Sequence, residues 1–248
     1  MASTKHHATT HAEAASSISK PVGDWQKGSA NESADVIAVQ TLLTKVADKL
    51  NKPTFKPNTV NGTVSKTPYA SSTVKAIMAF QKDVLGIASP DGRVDPGGKT
   101  LKGLENLANS GGFEKFQGVD PALQGKVASF IARYGAVTIS SGKRTTFQQA
   151  VEMAKMSDTD LNMYGAASDY VVKIKAIPRA NRTVQKVQEI LDEARKHGHT
   201  ISKHLDGKAV DISAAGHFHW QTADAVASQV GLKPKREVSR NCFHVNHR

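Results

Sequence analysis

Apolar residues in the first half of this chain recur at three- and four-residue steps, and in the second half short β-branched runs interrupt that period. Val36, Val39, Leu42, Leu43, Val46 and Leu50 line one face of a helix, with Asp35 as an acid in its first turn. Pro53, Pro57, Asn58, Asn61 and Gly62 end it. A second helix is expected from about Ser72, with Val74, Ile77, Met78 and Phe80 turned inward. A short third helix over 100–107 follows the turn-dense stretch 86–98. Beyond Gly111-Gly112 the pattern changes. Helices are expected near 121–134, over 145–165, over 180–197 with Gly198 as its stop, and over 222–230. Strand signal falls at 136–141, at 209–212 and around Phe243-His244-Val245. Such irregular alternation favours an α+β fold over a wound parallel sheet.

Three parts follow: a flexible leader over 1–33, an N-terminal three-helix bundle over 34–110, and a C-terminal α+β domain with a small antiparallel sheet over 111–248. The leader is rich in Ala, Ser, Thr and His without apolar periodicity, a composition that does not offset the entropy of ordering. The net charge of +11 divides among these parts as 0, +4 and +7, so the positive excess lies on both folded parts. It suits a polyanionic partner: nucleic acid, anionic lipid or a bacterial cell wall. Aromatics are only 6% and no basic-aromatic stacking motif occurs, which argues against nucleic acid. No run of about 18 apolar residues exists, so no membrane insertion is expected, and the polar N-terminus shows no secretory signal. The single cysteine, Cys242, excludes an internal disulfide and a thiolate-rich metal site.

The segment richest in chemistry is Ser202-Lys203-His204-Leu205-Asp206-Gly207-Lys208-Ala209-Val210-Asp211-Ile212. His204 on a loop and Asp211 on the strand it feeds can approach one metal, with Gly207 allowing a tight turn between them. A third ligand must come from elsewhere, and His244 sits on a strand able to pair alongside. Two histidines and a carboxylate leave a fourth position on zinc open, the arrangement of catalytic sites. By spacing alone the pair is weak evidence for a metal, since most such His–Asp pairs are surface residues or simple hydrogen-bond partners. His217 and His219, within Gly216-His217-Phe218-His219-Trp220, are the alternative ligands.

Two resemblances sharpen this reading. Val39-Gln40-x-Leu42-Leu43, Thr73-Val74-Lys75-Ala76-Ile77-x-x-Phe80-Gln81 and the stretch from Pro90-Asp91-Gly92 to Thr100 and Leu104 resemble a peptidoglycan-binding three-helix module, over about 33–108. Ser-x-His-x-x-Gly-x-Ala-x-Asp at 202–211, with Ser140-Ser141-Gly142-x-Arg144 before it and Phe243-His244-Val245-Asn246 after it, is similar to the D-alanyl-D-alanine carboxypeptidase family of zinc peptidases. That family includes phage L-alanyl-D-glutamate endopeptidases and shares its fold with hedgehog signalling domains. The second resemblance covers roughly 115–248 and implies a zinc peptidase domain there. By it, His204, Asp211 and His244 are the zinc ligands and Arg144 binds the substrate carbonyl.

The general base departs from the family pattern. Many members place Glu or Asp three residues before the last zinc histidine, where this chain has Asn241, and some carry Asp where Asn246 stands. Glu237, seven residues before His244, is near the acid's spacing in hedgehog-like members and is the favoured base, with Asp206 next. Together the two resemblances imply a monomeric, endolysin-like enzyme that hydrolyses an amide of peptidoglycan. It would be made in the cytoplasm and reach the wall through a holin lesion. A type VI secretion effector with the same chemistry, and a non-catalytic wall binder that keeps zinc for stability, are the alternatives.

Overall fold

Buried glutamines fix the first helices. The computed structural model describes residues 18–165, 168–214, 216, 218–237 and 241–247, the side chains of Pro68, Glu237 and His247 excepted. Strand β1 (Val22–Gly23) pairs antiparallel with β2 (Arg93–Val94). Helix α1 (Ser33–Leu50) buries Val36, Val39, Leu42, Leu43 and Val46. It stops at Asn51, whose left-handed backbone (φ 51°) returns its N–H to Ala47 and Asp48. Helices α2 (Ser72–Asp83) and α3 (Lys99–Asn109) follow. Gln40 of α1 accepts from the backbone N–H groups of Asn61 and Gly62 and donates to Thr63 O and Thr73 Oγ1. Gln81 of α2 repeats the device, accepting from Gly92 N and donating to Arg93 O and Thr100 Oγ1. Each buried amide ties a helix to an Asx-Gly turn and to the first turn of the next helix.

Two expectations are corrected here. Met78 is 38% exposed, because Ile77 already faces the core and the next helical residue lies about 100° further round. The leader expected over 1–33 does not extend through its second half. Ile18 and Val22 are buried, and the Asp35 carboxylate accepts from Ser19 N, Ser19 Oγ and Lys20 N, so 18–33 pack on the helices. The part of that leader before Ile18 lies outside the described residues.

Helix α4 (Pro121–Tyr134) begins at Asp120, whose side chain accepts from the N–H groups of Ala122 and Leu123. It lies between two partners. Asn106 of α3 donates to Ala132 O, while on the other side Phe130 stacks on Phe243 at 5.6 Å. Phe243 belongs to a four-stranded antiparallel sheet of β3 (Thr138–Ser141), β4 (Ala209–Ser213), β5 (Leu232–Glu237) and β6 (Cys242–His247), in the order β3-β4-β6-β5. Ile139, Val210, Ile212, Phe243 and Val245 face α4 and are buried. One continuous core runs from Ile18 through α1–α4 to this sheet face. The hydrophobic core therefore crosses the 110/111 boundary expected from Gly111-Gly112. A second, separate core lies within 150–201, built by α5 (Thr146–Lys155), α6 (Asp158–Leu161), α7 (Asp169–Ala176) and α8 (Val184–Lys196).

The helix expected over 145–165 breaks at Ser157, which forms a reciprocal capping box with Asp160 and starts α6 anew. Helix α9 (Trp220–Gln229) packs on the α4 side of the sheet, where Arg236 of β5 bonds Asp224 and lies over the Trp220 ring. Among the described residues no helix is long and apolar enough to cross a membrane. The fold is α+β with small antiparallel sheets, as the alternation of signals implies.

Candidate metal centre

Strand register builds the site. Asp211 pairs with Ser141 on one side and His244 on the other, and His244 pairs in turn with Lys235. Paired residues share a face of a sheet, so these four form a row opposite the α4-packed core. His204 enters from the loop between α8 and β4. Its carbonyl accepts from Arg144 N and Gly207 N. Gly207 has φ 69°, and a Cβ there would lie 2.2 Å from Gly118 O, so only glycine fits that turn.

The donor atoms converge. Asp211 Oδ1 lies 2.8 Å from His244 Nδ1 and 3.3 Å from His204 Nε2, and the two ring nitrogens are 3.3 Å apart. Tetrahedral zinc with bonds of about 2.0–2.1 Å places neighbouring donors about 3.3 Å apart, which these spacings approach. His204 Nδ1 lies 2.7 Å from Gly142 O. A carbonyl only accepts, so Nδ1 carries the proton and the Nε2 lone pair faces the other two donors. This largely buried group, His204, Asp211 and His244, could hold a metal ion. Burial pushes the Asp211 carboxyl up, but the hydrogen bonds and positive charge that His204 and His244 supply in their doubly protonated forms outweigh it and hold Asp211 well below the usual carboxylate range; a metal would replace those protons.

Arg144 reaches the same group. Its Nη2 donates to Asp211 Oδ2 at 2.8 Å, its Nε to Ser141 Oγ at 2.8 Å and its Nη1 to Gln149 Oε1 at 3.2 Å. Of the five N–H donors of a guanidinium, these bonds use three and leave two for a ligand. Gln149 is fully buried and donates to Tyr164 Oη at 3.0 Å. Sequence reasoning missed Gln149 and Tyr164. The available signal was a glutamine on the α5 stripe, four residues before Met153. These groups open onto a cleft of about 310 Å³ between the sheet and the α5–α8 core, with Met156, Met163, Tyr164 and Ile201 on its apolar side.

The other candidates fall elsewhere. Asp206 does not line the cleft; it is exposed and its carboxylate accepts from Thr200 Oγ1 at 2.7 Å. The Glu237 backbone takes the register position opposite Cys242, two residues from His244 along β6, and its side chain lies outside the described residues. Asn241 directly precedes β6 with φ 47°, a conformation Asn tolerates well, and its side chain accepts from Phe218 N and donates to Ala214 O rather than reaching the cleft. Asn246 lines the cleft and accepts from Lys203 Nζ at 3.1 Å. His219 precedes α9, with its N–H on Tyr134 Oη and no place in the donor group. His217 lies outside the described residues.

No family model, curated protein or solved structure matches this chain. What the site can do therefore rests on its own chemistry. Neutral imidazoles and a carboxylate suit a borderline divalent cation such as zinc. Arginine beside them offers fixed positive charge to an oxygen that becomes negative.

Proposed function

We propose that this chain is a zinc-dependent peptidase that hydrolyses an amide in the peptide part of bacterial peptidoglycan. The observation that carries it is the convergence of His204, Asp211 and His244 at the floor of a cleft, with Arg144 bonded to the same carboxylate. The resemblance of 202–211 and its flanks to D-alanyl-D-alanine carboxypeptidases supports the reaction. That of 33–108 to peptidoglycan-binding modules supports the polymer.

Zinc, when bound, supplies a Lewis acid for an amide carbonyl and a water acidified to near neutral pH. The chain supplies the rest. Gly142 O holds the His204 tautomer, and Arg144 orients Asp211 while its two unused N–H donors stabilise charge developing on the carbonyl oxygen. Glu237 takes the proton of the attacking water and returns it to the leaving amine. The linked N-terminal helices raise the local concentration of wall, and the setting is that of an endolysin or a delivered effector.

The test is digestion of purified sacculi by the full chain, followed by mass spectrometry of released fragments with and without chelator. New amine termini that vanish with chelator, and in His204→Ala, are expected. Glu237→Gln should keep zinc yet lose about 10²-fold in turnover, while Asp206→Asn stays active. Sacculi that are bound but never cleaved would sink the peptidase reading. They would instead favour a zinc-stabilised wall binder, for which one observation speaks: among the described residues, Asp211 is the only acid lining the cleft.

A further inference from the structure

A second hollow lies on the α4 side of the sheet, away from the metal group, and the proposed hydrolysis makes no use of it. It opens where α3 and α9 meet the C-terminal end of α4, and its volume of about 570 Å³ is within the range of small-molecule sites. Its lining comes from 85–106 and from 132–229, so it exists only because the two halves of the chain pack together. The charge is one-sided. Lys99 and Lys102 come from α3 and Arg133 from α4; all three are exposed. Among the described residues no acid lines the hollow, and none of these cations is in an ion pair. Glu105, three residues on from Lys102, feels that lysine's charge but does not line the hollow. Helix stability does not account for the two lysines, since cations near a helix N-terminus oppose its dipole. Arg133 spends one of its five N–H donors on Leu85 O, at 2.8 Å, and has four left.

The rest of the lining suits a carbon body bearing hydroxyls. Leu85, Ile87, Ala132 and Val226 make an apolar floor, against which the C–H face of a sugar or polyol can lie. Asn106 donates its Nδ2 to Ala132 O and leaves Oδ1 to accept from a hydroxyl, and Gln229 of α9 adds a second amide. A bare inorganic anion would leave that floor wet. We infer that this hollow binds a phosphate ester of a sugar or polyol, with the phosphate held among Lys99, Lys102 and Arg133 and the carbon body on the floor. Three cations on two helices match the several oxygens of a phosphate better than the two of a carboxylate, and the planar guanidinium pairs readily with phosphate. The ester is a free small molecule or a repeat of a phosphodiester-linked polymer of the bacterial envelope; both have the same chemistry. The inference does not rest on the peptidase reading, and its test reads binding alone.

Titration calorimetry of glycerol 3-phosphate and glucose 6-phosphate into the full chain should show saturable binding, with glycerol and glucose weaker by about tenfold or more. Lys102→Met and Arg133→Met should each lower phosphate-ester affinity by about fivefold or more, and Arg133→Lys should keep most of it. Lys102 is exposed, so its replacement tests the site without disturbing the core. Lys235→Met, in the metal cleft, Lys75→Met, exposed on α2, and treatment with chelator should leave the affinity unchanged. A second arm names the source: sacculi that keep their phosphodiester-linked polymer, and the same sacculi after acid has stripped it. Tighter retention on the first, lost in Arg133→Met, assigns the polymer; equal retention on both, with the small esters still bound, assigns the free ester. No saturable binding of either ester, equal binding of the neutral compounds, or loss in Lys235→Met with none in Lys102→Met and Arg133→Met overturns the inference. The last of these would put the phosphate in the metal cleft.

Discussion

The orientation of His204 depends on a residue with no side chain. A Cβ on Gly142 would lie 1.9 Å from Lys115 O and 3.0 Å from Val119 Cγ2, so any other residue must displace the turn whose carbonyl receives His204 Nδ1. Gly142→Ala should therefore lower zinc affinity by about 10–100-fold, the usual cost of losing the group that orients a ligating histidine. Competition with a chromophoric chelator measures this, with far-ultraviolet circular dichroism reporting whether the fold survives; unchanged affinity in a folded variant would refute the role. At this scale the three converging residues were legible through the resemblance of 202–211 and its flanks, because the His–Asp spacing alone also fits surface residues and simple hydrogen-bond partners. Gly142 could be read only as a strand boundary, since the atoms that forbid its Cβ come from residues 115 and 119. Gln149 was hidden because its role lies in reaching across from α5 to Arg144, which no local pattern encodes.

Among the elements, those carrying an apolar stripe with a cap were readable, and those made by tertiary contact were not. Helix α4 spans the expected residues because Asp120 and Pro121 mark its start and an apolar face follows. Strand β5 escaped notice because Lys233, Pro234, Lys235 and Arg236 read as a charged loop. It is an edge strand, where proline and lysine are tolerated, and β6 alone draws it into the sheet. Helix α7 offers only Val171 and Ile174 to its core, too little for a visible period. The segment at 18–33 was misread for a related reason: its anchor is remote. Burial pushes the Asp35 carboxyl up, but hydrogen bonds from Ser19 N, Lys20 N and Ser19 Oγ, with the Lys20 charge, outweigh this and leave its pKa lowered. A carboxylate whose folded pKa is depressed stabilises the fold fully above its unfolded value, about 3.9, and loses that contribution as pH falls through the lowered value. Asp35→Asn should accordingly cost about 1–3 kcal/mol at pH 7, and the gap from wild type should shrink below about pH 4. Urea denaturation at pH 7 and pH 3 measures both numbers; a gap that widens in acid would contradict the anchoring role.

For the whole molecule, the question is whether the two halves work separately. A wall-binding bundle tethered to a catalytic domain would tolerate cutting at Gly111, since every proposed catalytic residue lies beyond it. The packing argues otherwise. Helix α4 presents Phe130 to the sheet that carries Asp211 and His244, while its Ala132 lies against Gly103 and Asn106 of α3 and its Ala128 lines a hollow with Phe55. The junction is also pinned. Lys49 Nζ donates to Ser110 O at 2.6 Å, Ser110 Oγ accepts from Val137 N, and Gly111 exchanges backbone hydrogen bonds with Val137 and Ile139 at the head of β3. Removing 18–110 would strip one side of α4 and leave those polar groups without their partners, and α4 is the backing of the sheet face behind the metal group. A fragment beginning at Gly111 should therefore lose zinc affinity and activity on small soluble stem peptides as well as on sacculi, and should unfold over a broader range than the full chain. Differential scanning calorimetry and soluble-peptide hydrolysis decide it. If the fragment melts in one sharp transition and cleaves soluble peptides at the full rate, the shared core is dispensable and the N-terminal helices serve attachment alone.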